Sequence, residues 1–176
     1  SVENSLLQGS NAVLRIEVDG SLAGPADGFV LRSRVPGVPG CGGAGSIFRG
    51  LVINRWQGAA ISVGETACPL DLACISGGVR ILGNHIGTDA SGMMAAGNGI
   101  ALGRPTLAFG RGSTFNIVGE QVLGDGGATS PTPLARNVIA AGGSHAIQIA
   151  SPVAAQPAID HRIRNNYIGL NAQGTA

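Results

Sequence analysis

Apolar residues run along this chain in short groups of three to five, and Gly, Asn, Pro or Ser breaks the pattern roughly every ten residues. Groups of that length are too short for helices and suit β-strands. Several alternate strictly: in Leu14-Arg15-Ile16-Glu17-Val18 one face is aliphatic and the other charged. The pattern predicts strands over 13–18, 29–33, 47–54, 60–63, 79–86, 100–102, 115–118, 137–140, 146–149 and 162–168. Four longer stretches rich in Gly, Pro, Ser and Thr, at 35–45, 65–76, 104–113 and 121–133, read as loops, where binding residues usually sit.

Part of this pattern occurs twice. Arg80-Ile81-Leu82-Gly83-Asn84-His85-Ile86-Gly87-Thr88-Asp89-Ala90-Ser91-Gly92 returns 82 residues later as Arg162-Ile163-Arg164-Asn165-Asn166-Tyr167-Ile168-Gly169-Leu170-Asn171-Ala172-Gln173-Gly174. At an offset of 86, Val52-Ile53 and Ala60-Ile61-Ser62-Val63 are answered by Val138-Ile139 and Ala146-Ile147-Gln148-Ile149. A β-sandwich gives distant strands different neighbours and no reason to repeat a motif. A parallel β-helix sets each coil on an equivalent one, with aliphatic residues stacked inside and Asn or Gly at the turns. The expectation is therefore an all-β parallel β-helix with loop insertions, forming one domain over 1–176. Successive coils would be equivalent levels of the stack, about 4.8 Å apart. Asn54, Asn84, Asn137 and Asn166 are assigned to turns, and the aligned His85 and Tyr167 to a half-exposed planar position. Open ends would need caps or neighbours, which makes end-to-end self-association an expected contact. The chain opens without a signal-peptide pattern and stops inside the second motif copy, so it reads as a piece of a longer protein.

Composition narrows the picture. Aromatic residues are 3% and charged residues 12%, against 44% apolar residues and 30 glycines, so large rings cannot supply the core. No apolar run reaches the roughly 18 residues of a membrane helix, so no membrane insertion is expected. A net charge of +1 gives no reason to expect nucleic acid as a partner. Lysine is absent, which leaves 11 arginines and removes lysine nucleophile chemistry. Cys41, Cys68 and Cys74 show no C-x-x-C or zinc spacing. A disulfide between Cys68 and Cys74 would close a short loop; the alternative is two small buried thiols.

The stretch Asn84-His85-Ile86-Gly87-Thr88-Asp89-Ala90-Ser91-Gly92 is followed by Gly97-Asn98-Gly99-Ile100, and Arg136-Asn137-Val138-Ile139-Ala140 and Asn166-Tyr167-Ile168-Gly169 come later. Together they resemble the repeats of large bacterial surface and secreted proteins with the right-handed parallel β-helix fold that pectate lyases share. The resemblance spans residues 14 to 176, with the departures in the cysteine-bearing insertions. It implies a secreted or outer-surface location, which favours the Cys68–Cys74 bridge. It also implies an adhesive, structural or carbohydrate-directed role.

The candidate chemistry is sparse. A lyase of this fold would need clustered carboxylates for calcium and an arginine beside the substrate, and a hydrolase two or three carboxylates around the bond. The ten acidic residues are scattered singly. Asp160-His161-Arg162 is the one dense polar run, readable as an acid/base dyad with a substrate-binding arginine or as a charged edge leading into the Ile163 strand. Asp89 lies in an oxygen-rich turn that could hold calcium, but its counterpart in the second copy is the uncharged Asn171. No other cofactor is expected. Arg15, Arg32, Arg49, Arg55, Arg80 and Arg162 could form a ladder facing acidic sugars, and Trp56 could stack on sugar or pack on its neighbours. The expected function is a structural or adhesive module binding polysaccharide or other cell-surface ligands. The alternatives are a carbohydrate-active enzyme and a self-assembling fibre subunit.

Overall fold

The computed structural model describes residues 1–32, 43–64, 76–123, 128–140, 142–151 and 157–175. Cys41, Cys68 and Cys74, and with them the proposed disulfide, lie outside the described residues. In chain order the strands are β1 (Ile16–Asp19), β2 (Phe29–Leu31), β3 (Ile47–Arg49), β4 (Leu51–Asn54), β5 (Ile61–Val63), β6 (Ser76–Gly77), β7 (Arg80–Leu82), β8 (His85–Ile86), β9 (Leu107–Phe109), β10 (Ser113–Thr114), β11 (Ile117–Val118), β12 (Gln121–Leu123), β13 (Ala128–Ser130), β14 (Val138–Ile139), β15 (Ile147–Ile149), β16 (Arg162–Ile163) and β17 (Tyr167–Ile168). Among the described residues the chain is all-β apart from a 3-10 turn at Pro133–Ala135.

Three parallel sheets hold most of these strands. The first is ordered β1-β4-β8-β14-β17, the second β2-β5-β9-β15 and the third β3-β7-β11-β16. The chain visits the first, second and third sheets in that order and then begins again. Each interior strand of the three sheets therefore pairs with its counterpart one round earlier and one round later. Ser76–Gly77 and Ser113–Thr114 extend this parallel pairing ahead of the third sheet, while β12 and β13 form an antiparallel insertion.

Equivalent side chains stack across the rounds. Ile53, Ile86 and Ile139 align in the first sheet, Ile61 with Leu107 and Val63 with Phe109 in the second, and Phe48, Ile81 and Val118 in the third. All belong to a single buried cluster enclosed by the three sheets. Each such aliphatic residue, fully buried, contributes about 1.5–3 kcal/mol.

The two motif copies share columns, since Arg80, Ile117 and Arg162 are in register, as are Ile86, Ile139 and Ile168. They lie two rounds apart. The intervening round, through Ile117–Val118 and Val138–Ile139, lacks the motif and carries the β12–β13 insertion.

Corners account for most differences from the expected strands. The stretches 47–54 and 79–86 are each two strands, broken by Gly50 (φ 68°) and Gly83 (φ 62°). Those positive φ values suit glycine and turn the chain from the third sheet into the first. The third such corner, in 162–168, is turned by Asn165 at φ 58°. Residues 100–102 form a turn, and the stretch 104–113 contains β9, whose Leu107 and Phe109 are among the most buried residues. The flanking Pro105 and Gly110 gave this core strand the look of a loop.

An asparagine ladder closes this corner. Asn84, Asn137 and Asn166 precede consecutive strands of the first sheet, and each Nδ2 donates to the carbonyl of an inward residue of the third sheet one round earlier. Asn84 reaches Phe48 (2.9 Å), Asn137 reaches Ile81 (2.8 Å) and Asn166 reaches Val118 (2.9 Å). The side-chain oxygens accept in turn: Asn84 Oδ1 from the Leu51 N–H (3.0 Å), Asn137 Oδ1 from the Asn84 N–H (2.9 Å) and Asn166 Oδ1 from Asn137 Nδ2 (2.8 Å). Asn54 sits at the opposite end of the first sheet, where its Nδ2 donates to the Glu17 carboxylate and to the Thr88 carbonyl.

Residues ahead of β1 form a strap. Val2 and Val13 pair antiparallel, and buried Asn4 holds the loop between them through the amides of Leu6 and Asn11. The strap reaches the first round through a Glu3–Arg49 ion pair and the last through the Ser10 N–H on the Ala172 carbonyl. Arg136 is its anchor, donating to the carbonyls of Leu6, Leu7 and Gly9 and to Asn165 Oδ1. Its guanidinium lies 5.0 Å from the Tyr167 ring centroid, and the Tyr167 hydroxyl accepts the Gly9 N–H at 2.6 Å.

Asn137→Ala removes two donated bonds and strands the Asn84 amide, so we expect a loss of about 3 kcal/mol in urea unfolding. Arg136→Lys keeps the charge but loses the planar fork, so limited proteolysis within residues 1–14 should quicken about tenfold while cleavage elsewhere is unchanged.

Candidate functional site

The Asp160-His161-Arg162 run does not converge on one cleft. Asp160 is exposed at φ 57°, in the turn that enters the third sheet. Arg162 follows in the outward column of that sheet, in register with Ile117. His161 is half-buried, its ring 5.0 Å from that of Phe109. The His161 Nε2 is 3.3 Å from the Ser113 hydroxyl, which could suggest a nucleophilic pair. The wiring opposes that. His161 Nδ1 accepts the Asn116 N–H and lies 3.2 Å from Asn116 Nδ2, so the ring proton is on Nε2 and points at Ser113. Ser113 is fully buried and donates its own proton to the Gly110 carbonyl at 2.6 Å. The pair ties two rounds together. Burial lowers the His161 pKa below its ordinary value, against an opposing pull from the Asp160 charge.

Arg55 and Trp56 follow β4. Arg55, at φ 58°, bridges Glu17 (3.0 Å) and Asp19 (2.9 Å) on the outer side of β1. The Asp19 carboxyl lies below its usual range, chiefly through hydrogen bonds from the Ser21 side chain and amide and then through Arg55. Trp56 packs on its neighbours. A Cβ on Gly20 would come within 2.4 Å of the ring, and the indole N–H donates to the Val18 carbonyl at 3.3 Å.

The arginines do not form one ladder. Arg80 is in register with Ile47 and Ile117, while Arg49 is opposite Leu82 in a different column.

Asp89 organises its own turn. Its carboxylate accepts from the Ser91 hydroxyl (2.8 Å) and from the amides of Met93 (3.1 Å) and Met94 (3.2 Å). Burial would raise its pKa, but these bonds outweigh burial and the net shift is downward. Asn171 repeats the device on the amides of Gln173 (3.0 Å) and Thr175 (3.1 Å). This explains why Asp and Asn interchange between the copies: the turn needs an acceptor more than it needs a charge. Among the described residues no group of three or more His, Cys, Asp or Glu is placed to hold a metal.

The two turns project from rounds two apart, and Ala140 of the round between them lines the space they leave. The result is a notch of about 430 Å³ walled by Met93, Met94, Leu170 and Thr175. His85 lies fully buried beneath the first turn, its Nδ1 3.2 Å from the Ala90 carbonyl and its Nε2 without a partner. The half-exposed position expected for His85 is therefore a buried one, covered by the turn that follows it, and of the pair only Tyr167 is half-exposed.

A second concavity lies on the outer side of the second sheet. Its floor is the column Ser62, Ala108 and Gln148, and Arg104, Ser144 and His145 rise beside it around a groove of about 360 Å³. Asp27 receives the Ala59 N–H at 2.8 Å and steadies Arg104 at 3.3 Å. Sequence reading gave none of the groove residues a role, because their proximity comes from register between residues 46 apart (Ser62 and Ala108) and 40 apart (Ala108 and Gln148). Comparison with family models, with curated proteins and with solved structures finds no match.

Burial lowers the pKa of both His85 and His161, so the unfolded chain binds more protons than the folded one as pH falls below the ordinary value of 6.5. Their neutral forms support the fold fully above that pH and progressively less below it. The urea midpoint should drop between pH 7.5 and pH 5, and His85→Gln should flatten that slope. An unchanged midpoint across this range would contradict the burial of the two rings.

Proposed function

We propose that this chain is a right-handed parallel β-helix module of a secreted or cell-surface bacterial protein, with a structural or adhesive role. The fixed visiting order of three in-register parallel sheets and the asparagine ladder support the helical winding. Right-handed crossover is the strong preference for parallel strands. Kinship with the bacterial surface-repeat proteins rests on the shared Asn-aromatic-Ile-Gly turns.

One observation carries the non-catalytic reading. The best-placed carboxylates serve the fold: Glu17 and Asp19 hold Arg55, Asp27 caps Ala59, Asp89 closes its turn and Glu3 ties down the strap. Glu120 is buried, 3.5 Å from Arg164. None of these roles presents a pair of carboxylates across a cleft, as glycoside hydrolysis requires.

The groove on the second sheet favours a second reading, carbohydrate-directed chemistry, because Ser62, Arg104, His145 and Gln148 line a concavity open to a chain of sugars. Incubation with uronate-containing and neutral polysaccharides separates the two. Co-sedimentation without new reducing ends or unsaturated products is the expected result. Product formation abolished by substitution at Arg104 or His145 would replace the adhesive reading with the enzymatic one.

A further inference from the structure

The first sheet has a covered outer face. Val52, His85 and Val138 alternate with the inward isoleucines and are in register across three rounds, so they point away from the core, yet each is at most 2% exposed. Over His85 the cover is the turn that runs from Gly87 to Ala96. A Thr88–Ala95 bridge, the Ala96 N–H on the Gly87 carbonyl (2.7 Å) and the Asp89 carboxylate on the Met93 and Met94 amides hold it closed. Gly92 sits against the ring, where a Cβ would come within 2.9 Å of the imidazole Cε1.

Beneath that turn the imidazole is incompletely satisfied. Its Nδ1 lies 3.2 Å from the Ala90 carbonyl, which can only accept, so Nδ1 carries the ring proton. Nε2 is then a bare acceptor, buried and without a partner. A second proton has to go to Nε2, where no acceptor among the described residues meets it and the cation is sealed from water. Few charged or titratable groups face the ring. Asp89 on the turn attracts the cation, but its carboxylate is committed to Ser91, Met93 and Met94, and burial outweighs its pull. Glu17 and Tyr167 stand two places away in the same column, on either side. Glu17 is held by Asn54 and Arg55, and Tyr167 by the Gly9 N–H and the Arg136 guanidinium. Glu3 of the strap is paired with Arg49, and the turn at 169–175 carries no titratable side chain.

The second motif copy provides a contrast. Gly174 lies over the Tyr167 ring as Gly92 lies over His85, and Asn171 closes that turn as Asp89 closes the first. A phenol takes up no proton near neutral pH. Of two turns built alike, one therefore covers a group that titrates and the other does not.

We infer that the turn at 87–96 is an acid-released latch: protonation of His85 lifts it off the first sheet while the coils stay wound. Lifting breaks the bond from the Ala172 N–H to the Gly92 carbonyl (2.8 Å), and the Ala172 carbonyl in turn accepts the Ser10 N–H of the strap. The release thus loosens the second turn and the strap's hold on the last round. No ligand enters this device, so it stands apart from the adhesive reading.

The test is amide hydrogen exchange of the intact chain at pH 7.5 and pH 5.5, resolved by segment and corrected for the intrinsic pH dependence of exchange. The ring has its ordinary pKa of 6.5 when the turn is open and a lower one when it is closed, so opening is favoured as pH falls below 6.5. Protection across 88–96, reported by the amides of Asp89, Gly92 and Ala96, should fall by up to about tenfold while the strands of the three sheets keep theirs. His85→Gln and His85→Phe should abolish the response, and His161→Gln should leave it. Protection of 88–96 that does not change with pH, or that is lost only together with the sheets, would overturn the latch. An equal response in either His85 variant would do the same. The wild-type comparison of turn with sheets decides the outcome even where a variant does not fold.

Discussion

The structure depends on how it satisfies the backbone at the corner between the third and first sheets. A chain that turns sharply cannot keep every amide in a regular ladder, so buried polar groups at the bend need partners from outside it. The amides of Leu51 and Asn84 are bonded there by side-chain oxygens, at 3.0 and 2.9 Å. The carbonyls of Ile81 and Val118, which already accept the Gly119 and Arg164 N–H groups at 3.0 Å, take a second donor. A buried group left unpaired costs about 1–3 kcal/mol. Asparagine meets this need because one side chain offers two donors and an acceptor. Asn84, Asn137 and Asn166 each use the amide to donate to the preceding round and the oxygen to accept from the same corner of it. Aspartate would supply no donor, and glutamine would hold the contact at a greater entropic cost. The corner therefore fixes the register, and the register fixes which side chains stack.

Stacking makes the interior repetitive and the ends different. At the first round Phe29 and Phe48 lie with ring centroids 4.9 Å apart, and Trp56 packs on Gly20 and Gly28, so the scarce aromatics gather where the column would otherwise be open. At the last round the inward residues Ile149 and Ile168 are 45% and 44% exposed, whereas their internal equivalents are at most 1%. The strap links these unequal ends. Arg136 binds three carbonyls of a segment that has no strand partner beyond Val2–Val13, and it does so from beside Asn137 in the ladder. One corner thus serves both the winding and the tie that runs along it.

Much of this was legible in the sequence because stacking imposes periodicity. The shared motif placed Ile86 and Ile168 in one column and contained two of the three ladder asparagines, Asn84 and Asn166. The step between copies was less visible. Two equal motifs suggest neighbours, yet the round between them has Val138 where the copies have His85 and Tyr167. Hydrophobic runs located strands but hid corners, since Gly50 and Gly83 interrupt the run by a single residue. Leu107–Phe109 escaped because its evidence is a column of partners, Ile61 and Val63 below and Ile147 and Ile149 above, that a linear reading cannot see. Groove and strap were hidden for the same reason. They are properties of register and of long-range contact, and Arg136 in its short apolar context carries no mark of either.

The same logic separates residues kept by the fold from residues the fold leaves unexplained. Asp89 and Asn171 exchange freely because both supply an acceptor to a turn. His161 and Ser113 look reactive on paper, yet their protons already point at neighbours that join two rounds. Phe115 differs: its counterparts Gly45 and Gly78 show that the turn works with no side chain, and its ring is mostly in solvent. A strained residue whose ring is mostly in solvent is accounted for outside the column, on the outer surface of the stack.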